Sequence, residues 1–367
     1  MQFKANVGAE VQKYLERYDD ASNILKPHGK TILRLDWTGI NPDYEVIGEG
    51  TYSIVHKVKL LDGPNTFYAL KFLDPNMMKD NSGEERYKRA AMDICFEGKI
   101  LERLDHPNIV SLRGIPNGNV EDSVNDESFP YFLLLDYLPL TLDHVLQQKR
   151  KSTKERLFRT QSKVVKRLEK IAVGIVSAME YMHERGLLFR DLKPSNVGFD
   201  SDGHVKLFDL GNCRDLEFVA KSGESLGFAG TPRYMATEIG AGNEYGLPSD
   251  VYSFGILLWE IITLRVPFES IQTIEEFQHE VVQCHTRPNL SYVKSENLRA
   301  LLEKCWDPEP MQRPSFQEIR EELELFIKAH GEKNSTNQNE KKQLGPRRMN
   351  SFLKRFSMGK EHQVSET

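Results

Sequence analysis

The chain has 367 residues, of which 39% are hydrophobic and 28% are charged, and its formal net charge is -5. This length allows two lobes or two domains with sizeable cores, and the composition excludes a mostly disordered protein. The negative net charge argues against a dedicated nucleic-acid-binding protein, because such proteins need an excess of positive charge for phosphate contacts.

The cysteine pattern indicates the cellular compartment. Cys95, Cys213, Cys284 and Cys305 lie far apart and form no CxxC pair, which is typical of reduced thiols in an intracellular protein. Cys284 stands beside His285, but the sequence has no second close pair of ligands, so we do not expect a zinc site.

Neither the N-terminus nor the longest apolar run predicts a membrane segment. The first 20 residues lack the apolar stretch of a signal peptide. The run "FGILLWEII" at 254–262 is too short to cross a bilayer and carries Glu260, which is typical of a buried helix. We therefore expect a protein without a membrane span that resides in the cytoplasm, with the nucleus as an additional location left open.

In chain order, an N-terminal extension over residues 1–43 holds a short predicted helix at 9–20. From residue 44, alternation predicts a hairpin ("YEVIGEG" and "SIVHKVKLL") and a third strand, "TFYALKFL". A helical pattern follows over about residues 84–103. Two further strands, "IVSLRGI" and "YFLLLDYL", flank the polar acidic stretch "NVEDSVNDES", which we interpret as a loop.

After residue 140 the periodicity is mostly helical to about residue 329, with short strands expected around 196–209. The order of elements predicts the α+β class, with a β-rich N-lobe over 44–138 and an α-rich C-lobe over 139–328. Residues 329–367 are polar, basic and low in aromatic side chains, so we expect a disordered tail.

The stretch "GEGTYS" lies between two predicted strands, and its glycines at 48 and 50 would let the backbone approach phosphate oxygens. A Rossmann site requires a helix next, whereas "SIVHKVKL" alternates like a strand. A Walker A loop requires a Gly-Lys-Ser/Thr sequence, which does not follow here. Taken alone, the stretch also fits an ordinary hairpin turn.

Lys71 lies among apolar neighbours in the third predicted strand. It could face solvent at a sheet edge, or it could reach phosphate oxygens while a carboxylate holds it. Glu97, in the predicted helix "DICFEGKILERL", is the candidate carboxylate.

A polar cluster in "GLLFRDLKPSNVGF" lies between two apolar runs. Asp191 can accept a proton from a substrate hydroxyl, and Lys193 can neutralise charge on the transferring group. Asn196 and, about ten residues on, Asp209 can supply oxygen ligands to one divalent cation. Phosphoryl transfer needs positioning and charge neutralisation more than covalent chemistry, and these side chains provide both.

Eight motifs stand in the order found in eukaryotic protein kinases, so that roughly residues 44–328 resemble this family. They are "GEGTYSIV", "YALK", Glu97 nine residues before "HPNIV", "FRDLKPSN", "DLG", "GTPRYMATE", "SDVYSFGILLWE" and "DPEPMQRPSF". The resemblance implies the two-lobed protein kinase-like fold, ATP and Mg²⁺ as cofactors and a protein as substrate.

The resemblance also implies a role for individual residues. Lys71 would pair with the α- and β-phosphates and with Glu97, Asp191 would be the catalytic base, and Asn196 and Asp209 would hold Mg²⁺. The residues implied for ATP binding are Ile47, Gly48, Glu49, Gly50, Val55, Ala69, Leu135 as gatekeeper, Asp136 and Leu138 in the hinge, and Gly198.

Three structural residues follow from the same resemblance: Glu238 should pair with Arg313, and Asp250 should anchor the catalytic loop. The departures from the family pattern are Ser53 for the third loop glycine, Phe189 for His, Leu210 for Phe and Thr237 for Pro. All four fall on packing or backbone positions: a small residue is tolerable at 53, an aromatic ring can fill the position of Phe189, and Leu210 exchanges one apolar group for another.

Lys193 and Thr231 resemble the serine/threonine kinases rather than the tyrosine kinases, and "CWDPEPMQRPSF" resembles the tyrosine-kinase-like group of serine/threonine kinases. The predicted activity is therefore transfer of the γ-phosphoryl group of ATP to Ser or Thr. The alternative is a non-catalytic kinase-like scaffold, which loss of Lys71, Asp191 or Asp209 would indicate, and all three are present. A small-molecule kinase would have no use for the peptide-positioning segment "GTPRYMATE".

Arg190 directly precedes the proposed base, and a half-buried cation there favours an anion nearby. Ser222 and Ser225 lie in the glycine-punctuated segment "DLEFVAKSGESLGFAGTPRY" and are candidate phosphate acceptors, with Arg214 as a second cation. We therefore predict that activity depends on phosphorylation between Asp209 and Glu238.

Two stretches carry strong positive charge. Residues 149–170 hold ten Lys and Arg against two Glu, which indicates either a solvated helix face or a docking patch for an acidic partner. The tail over 331–367 has eight Lys and Arg against four Glu, and "RRMNSFLKRFS" fits a phosphosite cluster, a nuclear-import patch or no function.

Overall fold

The computed structural model describes residues 2–24, 29–41, 45–50, 52–74, 83–125, 131–152 and 160–331, which form a sheet-rich lobe followed by a helical lobe. The predicted α+β architecture is confirmed. The start of the first hairpin strand at residue 44, the middle of the basic stretch (153–159) and the tail from 332 lie outside the described residues.

The N-terminal lobe is built on a six-stranded sheet with the order β1-β5-β6-β4-β3-β2. Within the described ranges the strands are β1 (Leu33–Leu35), β2 (Glu45–Glu49), β3 (Ser53–Val58), β4 (Tyr68–Leu73), β5 (Leu112–Pro116), β6 (Phe132–Asp136), β7 (Leu140–Thr141), β8 (Leu187–Leu188), β9 (Val197–Phe199), β10 (Val205–Leu207) and β11 (Arg214–Asp215). The strand β1 was not predicted, and it joins the sheet edge parallel to β5.

The helices lie against this sheet and form the second lobe. In the described part of the chain they are α1 (Gln2–Ala21), α2 (Gly83–Arg103), α3 (Val120–Asn125), α4 (Leu142–Lys151), α5 (Gln161–Arg167), α6 (Val173–His183), α7 (Leu216–Ser222), α8 (Thr237–Gly240), α9 (Pro248–Thr263), α10 (Ile274–Phe277), α11 (Glu296–Cys305) and α12 (Phe316–Gly331). No helix among the described residues is both long and apolar enough to cross a bilayer.

Two sequence predictions need correction. The helix predicted at 9–20 is longer and starts at Gln2. The acidic stretch predicted as a loop contains α3, because the Asn119 side chain accepts a hydrogen bond from the backbone N–H of Asp122 (2.7 Å) and caps the helix. Two acidic residues in the first turn also favour the positive end of the helix dipole.

The sheet separates two apolar clusters. Leu70 and Phe72 of β4 pack with Phe132 and Leu134 of β6 on one face, where Trp37 covers them. Because side chains alternate along a strand, residue 71 of β4 points to the opposite face, towards α2. This alternation is what brings a lysine in an apolar strand to a helix-covered surface.

Candidate active site

The centre of the site is a contact between three charged side chains from three elements. The Lys71 ammonium lies 2.7 Å from Glu97 Oε2 of α2 and 2.7 Å from Asp209 Oδ1, which follows β10. The Lys71 and Glu97 side chains are 12% and 1% exposed, whereas 45% of the Asp209 side chain is exposed. Lys71 therefore does not face bulk solvent, and the Asp209 carboxylate remains open to the cleft.

Glu97 also holds the backbone of the "DLG" segment, since the Leu210 N–H donates to Glu97 Oε1 over 3.1 Å. Burial raises the pKa of Glu97, and the Lys71 charge lowers it in part. The Lys71 charge lowers the pKa of Asp209. Although burial alone would lower the pKa of Lys71, the charges of Asp209 and Glu97 raise it above its usual value. Lys71 and Asp209 therefore stabilise each other's charged forms, whereas burial and the nearby Asp209 charge oppose the ionisation of Glu97 and the Lys71 charge favours it.

Asp191 lies in a second polar cluster and is itself buried. Lys193 Nζ donates to Asp191 Oδ2 (2.7 Å), and the Thr231 hydroxyl donates to Asp191 Oδ1 (2.7 Å). Lys193 Nζ also donates to Thr231 Oγ1 (2.8 Å). Asn196 Nδ2 donates to the carbonyl (2.9 Å) and to Oδ2 (3.1 Å) of Asp191. Asn196 thus keeps its amide oxygen available for another partner.

The backbone at two site residues is strained. Arg190 has φ 71° and Asp209 has φ 62°, in the left-handed region that non-glycine residues rarely adopt. The buried Asp250 carboxylate compensates at the first of these, because it accepts the Phe189 and Arg190 N–H groups over 2.8 Å each. His183 Nε2 lies 2.9 Å from the same carboxylate.

Three of the four departures from the kinase pattern are buried, and the fourth, Ser53, is half-buried in β3. Phe189 and Leu210 are at most 1% exposed, and they belong to the same buried cluster as Leu101 and Leu112. Thr237 is also buried, at 7% exposure, in the first turn of α8. No residue of this group supplies a charge to the site.

Most of the residues implied for nucleotide binding lie on or beside the strands of the N-terminal sheet. The Gly50 N–H donates to the Ser53 carbonyl (2.7 Å), and a Cβ on Gly50 would lie 3.0 Å from Ser53 Oγ. Gly48 and Val55 are register partners across the β2–β3 hairpin. A side chain at position 50 would therefore be tight against Ser53, which would have to shift slightly.

The floor and the hinge of the cleft are closely packed. A Cβ on Gly198 would lie 2.6 Å from Leu138 Cδ1, so Leu138 occupies the space that a larger residue would need. Leu135 is 6% exposed and pairs with Ala69 across β4 and β6. The Asp136 carboxylate accepts from Arg113 Nε (2.6 Å). Ile47 and Glu49 of β2 are exposed.

The remaining structural pair is also present. Arg313 donates from Nη1 to Glu238 Oε1 (2.7 Å) and from Nη2 to Glu238 Oε2 (2.9 Å), and the pair is buried. Arg313 Nη1 donates in addition to the Pro248 carbonyl at 3.0 Å. This fork-to-fork contact ties α8 to the loop before α12.

Arg190 is bound by neutral acceptors. Its Nε donates to the Asn212 carbonyl (2.6 Å), and its Nη1 donates to the Leu226 carbonyl and to the Tyr245 hydroxyl (3.1 Å). Ser225 is exposed, one residue before Leu226, whereas Ser222 is half-buried in the last turn of α7.

Three arginines that the sequence offered as cations for a phosphate or for a docking partner bind groups within the protein instead. Arg214 pairs with Asp93 of α2 at 3.3 Å. Arg150 pairs with the buried Glu260, and Arg167 donates to the carbonyls of Ile261 and Ile262 (2.8 Å each). Arg150 and Arg167 therefore stabilise the helical lobe, which reduces the charge that a docking patch could present. Sequence reasoning missed these contacts because the partners lie about 100 residues away.

Replacing Lys71 with Met should make stability depend on pH. Without the ammonium group, the buried Glu97 carboxylate has no cationic partner. Removing one partner of a buried ion pair lowers the unfolding free energy by about 3–5 kcal/mol. The pKa values of Glu97 and Asp209 should both rise, so the native state binds more protons than the unfolded state above the ordinary Glu pKa of about 4.3. The unfolding free energy, measured by urea denaturation, should then fall more steeply with rising pH than in the wild type.

Lys304→Met is the matched control, because Lys304 pairs with Glu322 at the surface (2.7 Å) and such pairs contribute about 0–1 kcal/mol. A loss of stability in Lys71→Met that is the same at every pH would contradict the predicted coupling.

Comparisons with known proteins agree with this geometry. A model of the protein kinase domain family matches residues 42–323. The chain is similar to the dual specificity protein kinase shkC of Dictyostelium discoideum, at 32% identity over 63% of this chain and 42% of that protein. It is similar to the serine/threonine-protein kinase STY46 of Arabidopsis thaliana, at 30% identity over 72% of this chain and 41% of that protein.

A third relative is the RAC family serine/threonine-protein kinase homolog of Dictyostelium discoideum, at 29% identity over 83% of this chain and 62% of that protein. The chain spans less than two thirds of the length of each of these relatives. The family match, by contrast, covers most of the chain. The chain therefore belongs to the protein kinase domain family, over residues 42–323.

Proposed function

We propose that this protein is a serine/threonine protein kinase that transfers the γ-phosphoryl group of Mg-ATP to protein substrates. The observation that carries the proposal is the joint contact of Lys71 with Glu97 and Asp209, at 2.7 Å each. A buried lysine held by two carboxylates from different elements is arranged to bind phosphate oxygens in a fixed position. The family membership supports nucleotide-dependent catalysis.

The residues of the cleft fit a magnesium nucleotide. Asn196 uses its amide nitrogen on Asp191, which leaves its oxygen for a cation, and nearly half of the Asp209 side chain is exposed. An amide oxygen and a carboxylate oxygen are the hard ligands that Mg²⁺ prefers. Mg-ATP held there would supply the phosphoryl group and part of the neutralising charge. Lys71 would hold the α- and β-phosphates.

Asp191 is the proposed base for the substrate hydroxyl. Its two carboxylate oxygens are oriented by the Thr231 hydroxyl and by Lys193, so the side chain cannot rotate freely. Lys193, half-buried and on the same carboxylate, would neutralise negative charge that develops on the transferring group. The presence of Lys193 and Thr231, which resembles the pattern of the serine/threonine kinases, supports a serine or threonine substrate.

The test is incorporation of labelled phosphate into generic protein substrates with Mg-ATP, followed by identification of the phosphorylated amino acid. Phosphoserine and phosphothreonine are the expected products. Phosphotyrosine as the main product would overturn the specificity, and a mixture would match the dual specificity named for one relative. No incorporation by the wild type, including partner-activated protein, would favour the non-catalytic scaffold.

Phosphorylation of Ser225 is expected to raise activity more than phosphorylation of Ser222. A phosphate on exposed Ser225 would add about -1.5 to -2 charge beside the Arg190 guanidinium. On Ser222 it would lie at the C-terminal end of α7, where the helix dipole disfavours negative charge. Because one charge-assisted hydrogen bond contributes about 1.5–3 kcal/mol, Ser225→Ala should lower kcat/KM of activated protein roughly tenfold or more.

Mass spectrometry should first locate the phosphates, and kinetics of Ser225→Ala, Ser222→Ala and the double variant should follow. Ser201→Ala, in an exposed turn, is the control. Full activity of the double variant, or of wild-type protein shown to carry no phosphate in this segment, would refute the regulatory prediction while leaving the catalytic assignment intact.

A further inference from the structure

The N-terminal helix α1 lies outside the matched family domain, which begins at residue 42, yet it is packed into the protein. Val7, Val11, Leu15 and Tyr18 are each at most 2% exposed, and they follow one another at helical spacing. This apolar stripe packs against α2 and α3, and the C-terminal part of α1 reaches α7. The helix is therefore part of the core of the N-terminal lobe.

An aromatic cluster joins α1 to α2 and to α7. Tyr18 lies 4.8 Å from Phe96 of α2 and 5.2 Å from Phe218 of α7, measured between ring centroids, and both contacts are edge-to-face. Tyr14 contacts the same two rings at 6.0 and 5.5 Å. Phe96 is the residue directly before Glu97. The cluster thus packs against α2 at the position of the carboxylate that holds Lys71.

Polar contacts beside the aromatic cluster fix the position of α1 along its neighbours. Asp19 pairs with Lys99 (2.7 Å) and Arg103 (2.6 Å), both on α2. On the other side, the Ser22 hydroxyl donates to Asp215 Oδ2 over 2.7 Å.

Asp215 is a cap of α7, because its Oδ1 accepts the N–H groups of Glu217 (3.0 Å) and Phe218 (3.1 Å). Lys221 Nζ of α7 donates to the Ala21 carbonyl at the end of α1 (2.7 Å). The last turn of α1 is therefore bound to α2 and to α7 at the same time.

We propose that α1 is a built-in positioning element, which holds α2 and α7 together so that Glu97 stays within reach of Lys71. Tyr18 and Phe218 are positioning residues in this arrangement, since neither touches the reacting groups. Helix α2 carries Glu97, and α7 belongs to the segment between Asp209 and Glu238. A shift of α2 by about 1 Å would move Glu97 away from the Lys71 ammonium, which would no longer be held in place, and displacements of that size can cost about 100-fold in rate. The proposal rests on the kinase activity proposed above.

The experiment compares variants of the full chain that change only the α1 contacts. Tyr18→Ala removes the ring, and Tyr18→Phe keeps it. Leu15→Asp places a charge in the buried stripe, and Lys13→Asp places the same charge on the exposed side of the same helix. Two measurements are made on each variant: hydrogen exchange of the α2 and α7 amides, and the kinetic parameters for ATP.

Tyr18→Ala and Leu15→Asp should speed amide exchange in α2 and α7, raise KM for ATP and lower kcat/KM by roughly 10- to 100-fold. Tyr18→Phe and Lys13→Asp should match the wild type in both measurements. If α1 acts through Glu97, the loss caused by Tyr18→Ala should be largely absent in a Glu97→Gln background, because the two changes affect one interaction.

Unchanged exchange in α2 of Tyr18→Ala would overturn the proposal, as would full additivity of Tyr18→Ala and Glu97→Gln. Should Tyr18→Ala lose its whole fold, Asp19→Lys answers the same question, because the Asp19 side chain is 40% exposed and its reversal repels Lys99 and Arg103. A wild type without phosphotransfer would refute the proposed function, whereas α2 exchange would still report whether α1 holds α2.

Discussion

Replacing Asp191 with Asn is expected to lower kcat by about 100- to 10,000-fold, the range that a positioned acid or base contributes, with little change in nucleotide affinity. The amide has nearly the shape of the carboxylate and can still accept a hydrogen bond from Thr231 or Lys193. It has no basic oxygen for the substrate proton. The side chain is 7% exposed, so bulk water does not replace it as the proton acceptor.

Single-turnover phosphorylation and nucleotide affinity should be measured on the same preparation of Asp191→Asn. Asp202→Asn is the matched control, since Asp202 lies in an exposed turn of the same lobe and the chemical change is identical. An Asp191→Asn protein that retains more than about a tenth of wild-type kcat would show that another group accepts the proton.

Replacing Asp209 with Asn should abolish metal-dependent nucleotide binding rather than the proton transfer. The carboxylate binds Lys71 through one oxygen and leaves the rest of a 45% exposed side chain for a cation. Loss of this charge removes an anionic ligand for the metal ion and weakens the hold on Lys71. Glu97 remains on Lys71, so the fold should be retained.

Calorimetric titration with ATP, in the presence and absence of Mg²⁺, separates the Mg²⁺-dependent part of nucleotide binding from the part that does not need the metal. The wild type should bind more tightly with Mg²⁺ than without it, and Asp209→Asn should lose that difference. Mg²⁺-dependent binding equal to the wild type would contradict the assignment of Asp209 as a metal ligand. The two variants therefore distinguish a residue of the chemical step from a residue of the nucleotide site.

The contrast between the two variants follows from their surroundings. Asp191 is held by side chains of its own loop and by Thr231, all on the helical lobe. Asp209 is held by Lys71, which belongs to the sheet of the other lobe. A change at Asp209 thus alters a contact between the two lobes, whereas a change at Asp191 alters contacts within the helical lobe only.

The sequence alone predicted the two lobes, most of their elements and the candidate residues of the site. Periodicity of 2 and of 3.6 residues distinguishes strands from helices, and it correctly separated a β-rich lobe from an α-rich one. A lysine among the apolar residues of β4 also indicated that Lys71 has a special role. The motif order named Glu97, Asp191, Asn196 and Asp209 as candidates, because polar groups at fixed spacing carry a recognisable chemistry.

Only the tertiary structure decided which of these groups meet. The left-handed backbone of Arg190 and Asp209 is imposed by the Asp250 carboxylate and by packing around the "DLG" segment, and neither residue type predicts it. The packing partners of α1 could not be predicted for the same reason. An apolar stripe shows that a helix face is buried, but not against which partner, and here the partners lie about 80 and 200 residues away in α2 and α7.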